Sequence, residues 1–155
     1  DFLPMSVPSQ NIKARVALVP QTVGTATANV YGNTLDVRGF DSATFIIGAR
    51  SATATSVPDR VIIEHADDTN TASFAAITTI SSGLPTQINS TALTNQDAFA
   101  VVNVDLRGKK RYLRLGLRNG STNVATMDAV CILDNAGQAP VNATAAGTLY
   151  FNAIG

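Results

Sequence analysis

Apolar and polar positions alternate along the chain in short runs, and no stretch sustains the 3.6-residue period of a helix. The alternation is clearest near the C-terminal third. Over residues 98–106, Ala100, Val102, Val104 and Leu106 share one face, and Asn103 and Asp105 lie on the other. Over residues 111–118, Leu113, Leu115 and Leu117 share a face, with Arg114 and Arg118 opposite. This is the apolar-in, polar-out pattern of an antiparallel sheet that is wet on one side. The intervening Arg107-Gly108-Lys109-Lys110 reads as a tight turn that makes the two runs hairpin partners.

Further strands are predicted over 15–19, ended by Pro20; over 35–37; over 43–49; and over 61–65, stopped by Asp67-Asp68. Residues 74–80 form another, ended by Ser81-Ser82-Gly83, and the hairpin dipeptide Asn119-Gly120 leads into the last, over 124–133. About eight short strands at this spacing predict an all-β fold, an antiparallel β-sandwich or jelly roll, over residues 15–133. Residues 1–14 carry Pro4 and Pro8 without alternation and read as an extended arm. Residues 134–148 have the small, polar composition of a flexible linker. Leu149-Tyr150-Phe151 then forms an apolar cluster within the C-terminal tail, 134–155. It is expected to bury either as a last strand of the chain's own sheet or on a neighbouring subunit.

Composition adds a character to this fold. Only 14% of the residues are charged, against about 25% usually. Ala, Thr, Asn and Ser make up roughly 40% of the chain, so its surface is small, neutral and low in side-chain entropy. Such a surface suits a protein that packs against others. Eleven basic and eleven acidic residues balance, which predicts no nucleic-acid or membrane partner. No apolar run approaches the roughly 20 residues of a membrane span, and no signal-peptide pattern is visible.

Candidate chemistry is sparse. Cys131 is the single cysteine, so no intramolecular disulfide forms, and its apolar run predicts a buried thiol. His65 is the single histidine and has no companions for a metal site; alternation separates it from Glu64. Asp67-Asp68-Thr69-Asn70 lacks the spacing of a calcium loop and reads as a turn. No nucleophile elbow, phosphate loop or zinc spacing occurs. These features predict a protein that is not an enzyme and takes no cofactor, metal or small-molecule substrate.

Charge is unevenly placed. Arg107, Lys109, Lys110, Arg111, Arg114 and Arg118 put six of the eleven basic residues within twelve positions, and all eleven acidic residues lie elsewhere. Such a dipolar surface favours oriented docking, on an acidic partner or on another copy. Lys109 and Lys110 are expected to steer association, and Arg114 and Arg118 to make close contacts, with Leu149, Tyr150 and Phe151 as a second contact point. Nucleic acid is disfavoured because Tyr112 is the only aromatic residue within the basic cluster.

Three segments carry a family resemblance: Thr34-Leu-Asp-Val-Arg-Gly-Phe-Asp-Ser-Ala-Thr-Phe-Ile-Ile-Gly, Glu64-His-Ala-Asp-Asp-Thr-Asn-Thr-Ala-Ser-Phe and Gly108-Lys-Lys-Arg-Tyr-Leu-Arg-Leu. In their order, across roughly residues 28–133, they resemble a group of small tailed-phage virion proteins of the capsid decoration, cement or minor head type. The resemblance implies a structural protein on the outer capsid surface of a bacteriophage virion, assembled in the host cytoplasm. Its partners would be the major capsid protein and further copies of itself, as a trimer or dimer. A carbohydrate-binding or host-adhesion module is the alternative. Against it, the chain has no tryptophan and few tyrosines for stacking on sugars.

Overall fold

The computed structural model describes residues 12–23, 29–51, 60–80, 98–118, 125–135 and 148–153. They form ten strands: β1 (Ile12–Val23), β2 (Val30–Tyr31), β3 (Leu35–Asp36), β4 (Ser42–Ser51), β5 (Arg60–Ala66), β6 (Ala75–Ile80), β7 (Ala98–Asp105), β8 (Tyr112–Arg118), β9 (Ala125–Asp134) and β10 (Thr148–Ala153). One short 3₁₀ turn, Thr71–Ser73, is the only helical element among the described residues. The fold is an all-β sandwich.

One sheet has the order β1-β9-β4-β7-β10, and the other β2-β8-β5-β6 with β3 also on β8. If β2 and β3 are taken as one interrupted strand, the first eight positions are those of a jelly roll, two four-stranded sheets wound as two Greek keys. Among the described strands, only β5 and β6 are both consecutive in sequence and hydrogen-bonded neighbours. β10 adds to the outer edge of β7 in parallel, with Leu149 opposite Ala100 and Phe151 opposite Val102. That run therefore closes as a strand of its own sheet; the side chains of Leu149, Tyr150 and Phe151 lie outside the described residues.

The core lies between the sheets. Phe45, Ile47, Val102, Met127, Cys131 and Leu133 fill it from one side, and Val61, Ile63, Leu113, Leu115 and Leu117 from the other. All these side chains are fully buried. At about 1.5–3 kcal/mol each, they supply the main driving force.

Three sequence expectations are corrected. The runs around residues 98–106 and 111–118 are not hairpin partners: β7 pairs with β4 and β10, whereas β8 pairs with β5, β2 and β3. The chain crosses from one sheet to the other at residues 106–111. Both apolar faces still point into one core, so alternation is the same for a hairpin and for this crossing. β8 and β9 likewise lie in different sheets, so Asn119-Gly120, outside the described residues, does not join a paired hairpin.

The first strand also differs, beginning at Ile12 within the expected arm and running through Pro20 to Val23. β1 is an edge strand, and its register against β9 shifts between Val16 and Leu18 and again between Leu18 and Gln21. A proline is tolerated at such a place because no neighbour needs its missing N–H. The same register puts Lys13 and Arg15 on the core-facing side of the edge, opposite Leu133 and Cys131. Inward-facing charge of this kind discourages a further strand from pairing there.

Candidate functional site

The basic cluster is assembled around the turn between the sheets. Lys109 N–H donates to the Leu106 carbonyl at 2.9 Å, and Gly108 takes the left-handed φ of 74° that the turn requires. The cations projecting from it carry their own counter-charges. Arg107 meets Asp105 at 2.6 Å, Lys110 meets Asp67 at 2.9 Å and Arg111 meets Asp36 at 2.7 Å. The Arg111 guanidinium holds the Asp36 carboxyl down to about 2, and Arg107 does the same for Asp105. Lys109 and Arg118 are half-buried and also have interaction partners. A basic segment in sequence is thus a set of ion pairs in space. Replacing Lys110 with Ala should change stability by less than about 1 kcal/mol, as for other exposed pairs, measured as a urea midpoint.

Arg114 sits differently from the exposed contact residue that alternation suggests. It is on the outer face of its sheet, yet only 8% exposed. Its Nε donates to Glu64 Oε2 at 2.6 Å, and its guanidinium stacks 4.2 Å from the Tyr31 ring centroid and 4.3 Å from that of Phe74. The Tyr31 hydroxyl donates to Glu64 Oε1 at 3.2 Å. The register explains the assembly: Glu64 is opposite Arg114, and Tyr31 is opposite Gly116, where a Cβ would come within 2.7 Å of the tyrosine ring. This cluster braces β2, β8, β5 and the segment before β6.

His65 shares its face with Ile63, as alternation predicts, and lies opposite Leu113. Its Nδ1 accepts the Lys110 backbone N–H at 3.2 Å. Burial, then Lys110 and Lys109, lower its pKa below 6.5. The unfolded chain therefore takes up this proton first as pH falls. The contribution of His65 is complete above pH 6.5 and is lost below it. Urea midpoints should fall between pH 7.5 and 5.5, and His65→Gln should flatten that drop; an unchanged slope would refute the assignment.

The acidic segment closes on itself. Asp68 Oδ1 accepts Asn70 N–H at 2.8 Å, Asp68 Oδ2 accepts the Ser73 hydroxyl at 3.1 Å, and the Asn70 side chain caps Ala72 N–H. This is a turn held by side-chain hydrogen bonds. Burial pushes the Cys131 thiol up to about 12, which suppresses its thiolate.

A surface of different character lies on the outer face of the β1-β9-β4-β7 sheet. Cross-strand register aligns Val16 with Val130, Val130 with Ile46, and Ile46 with Val101, one apolar row across four strands. The adjoining row is Ala14, Ile132, Thr44 and Asn103, with a 2.7 Å hydrogen bond from the Thr44 hydroxyl to Asn103 Oδ1. Exposure is greatest at the β1 end, 51% at Val16 and 39% at Val130, and falls to 9% at Val101. Ile12 also lies exposed beside Asp134. An outer sheet face in water normally carries polar side chains; this one presents β-branched hydrocarbon.

None of these residues was singled out by sequence reasoning. The signal was available in the unbroken runs Phe45-Ile46-Ile47 and Val130-Cys131-Ile132-Leu133, where both faces of a strand are apolar. In an antiparallel sandwich, that marks a face destined for cover.

No family model and no curated protein matches the chain. Several solved structures match it at low identity. The SPBc2 prophage-derived protein YomS is 14% identical with a TM-score of 0.42, covering 84% of this chain and 99% of that one. The cleaved adhesin domain of Lys-gingipain from Porphyromonas gingivalis is 15% identical, TM-score 0.44, covering 78% of this chain and 73% of the other. Infectious bursal disease virus, Gx strain, is 10% identical, TM-score 0.44, over 83% of this chain and 33% of the viral chain.

Proposed function

We propose that the chain is a non-catalytic structural protein of a phage particle, which attaches to the capsid exterior and ties neighbouring major capsid subunits together. The observation that carries this reading is the apolar outer face centred on Val16, Val130 and Ile46. A row of branched hydrocarbon on the outside of a sandwich is explained by a protein surface that covers it. The family resemblance supplies the identity of that surface. The neutral Thr- and Ala-rich composition fits a subunit packed among others, as a dimer or trimer.

The mechanism is additive contact. Each copy contributes a modest interface, and several copies on a repeating lattice raise the effective concentration of every further contact. Binding to the assembled shell and not to free subunits stabilises the shell by mass action. The carbohydrate-binding alternative gains less support. Tyr31 and Phe74 share the outer face of the other sheet, but each turns a ring face onto Arg114.

The test uses capsids of the phage that encodes the chain, purified without it. Added protein should sediment with the shells at a fixed ratio to capsid subunits and raise their disassembly temperature. Protein that stays in the supernatant, or sediments without stabilising the shell, would overturn the reading.

A further inference from the structure

We propose that the outer face of the β1-β9-β4-β7 sheet receives a protein surface with an apolar centre and a basic group at each end, supplied by a different protein and not by a second copy of this chain. The inference deepens the capsid reading, because it states the chemistry the covered surface must have.

The pattern is set by the outward positions of β9. After Thr126 they are, in order, Asp128, Val130, Ile132 and Asp134, two apolar residues bracketed by two carboxylates. At about 3.3 Å per residue, the two acids stand about 20 Å apart along the strand. Between them lie Val16, Ala14, Ile46, Thr44, Val101 and Asn103 from β1, β4 and β7, none charged. Asp128 lies over Gly48: a Cβ there would be 2.6 Å from its Oδ1. The lack of a side chain at residue 48 therefore lets the carboxylate rest across the neighbouring strand at the end of the apolar row. Among the described side chains, which do not include that of Arg50 opposite Thr126, none of the basic ones pairs with Asp128 or Asp134, in contrast to Asp36, Asp67, Asp105 and Glu64.

Charge decides the occupant. Two copies meeting face to face with their β9 strands aligned would set these carboxylates against one another around a dehydrated centre, a repulsive arrangement. Docking through the basic turn of another copy is disfavoured as well, since Arg107, Lys110 and Arg111 are already engaged by carboxylates. The edge of β1 is also a poor site for a second copy, with Lys13 and Arg15 on its core-facing side. A partner with Lys or Arg at both ends of an apolar strip satisfies both the hydrocarbon and the acids.

Two synthetic β-hairpin peptides with the same Val-Thr-Val centre provide the probe, one ending in Lys at both ends and one in Glu. Amide shifts of isotopically labelled protein report where each binds. The Lys-ended peptide should perturb Val16, Val130 and Ile132 and bind at least fivefold tighter than the Glu-ended one. Asp128→Asn with Asp134→Asn should remove that preference, and Val130→Lys should remove binding while leaving the β spectrum unchanged. Equal binding of both peptides, shifts located elsewhere, or an oligomer that Val130→Lys turns into a monomer would each overturn the proposal. Shell attachment is a separate arm. Attachment that survives Val130→Lys would sink this face and leave the capsid reading standing. Peptide selectivity without shell attachment would do the reverse.

Discussion

Replacing Arg114 with alanine should destabilise the protein by about 3–5 kcal/mol. Arg114 and Glu64 side chains are each 10% exposed, so solvent screens their 2.6 Å contact little. Removing the cation leaves Glu64 buried with the Tyr31 hydroxyl still donating to it. An unpaired buried charge costs far more than the net worth of the pair. Two ring contacts are lost as well, each worth about 0.5–2 kcal/mol. The double variant Arg114→Met with Glu64→Gln should recover much of the loss, because it removes both charges and keeps most of the packing volume. Urea midpoints of the wild type, Arg114→Ala and the double variant provide the measurement. A cost below about 1 kcal/mol for Arg114→Ala would mean that the pair behaves as an exposed one.

Gly32→Ala is expected to cost about 3 kcal/mol and to lower the melting temperature by about 6–12 °C. The residue lies between β2 and β3, where the chain leaves one sheet to touch the other. Gly32 N–H donates to the Leu115 carbonyl of β8 at 2.8 Å, and Asn33 N–H donates to the Ala17 carbonyl of β1 at 2.7 Å. The Asn33 side chain adds a bond to the Val16 carbonyl at 3.0 Å. A Cβ on residue 32 would sit 1.9 Å from the Ala17 carbonyl oxygen. Backbone cannot yield there as a flexible side chain could, so both links must stretch. This stitch also explains why the strand is split into β2 and β3. Differential scanning calorimetry of Gly32→Ala beside Gly39→Ala gives the comparison. The latter tests backbone strain alone, since a Cβ on Gly39 meets nothing within 4 Å, although its φ is 87°. A Gly32 variant as stable as wild type would refute the stitch.

The faces of β7 and β8 were legible in their alternation: Ala100, Val102, Val104, Leu113, Leu115 and Leu117 all enter the core. Their pairing was not, because alternation records which side is buried and carries no sign of which strand lies alongside. Topology is set by long-range contacts between the sheets, and a turn of the same length serves either arrangement. Proline misled for a related reason: Pro20 breaks a central strand but not a bulged edge. Charge misled most. The basic residues at 107–118 are close together in sequence, whereas their acidic partners Asp36, Glu64 and Asp67 arrive from strands and loops about 43–75 residues away. A linear count sees the cations together and the anions scattered; folding brings them into contact.

The docking face was hidden by the same local view. Ile46, Val130 and Ile132 belong to runs that read simply as core, and only cross-strand register shows that half of each run faces outward. Asp128 and Asp134 acquire meaning once they are seen to bracket that half. The polar-out rule holds on the other sheet, where Arg114 and Glu64 occupy the outer face, and fails on this one.

A cryo-electron microscopy reconstruction of the phage particle proposed to carry this chain tests the central claim most directly. The account predicts density for the sandwich on the capsid exterior, with Val16, Val130 and Ile46 buried against capsid protein and basic side chains within reach of Asp128 and Asp134. A sandwich attached through residues 106–111 with that face open to solvent, or a capsid without the chain, would contradict it.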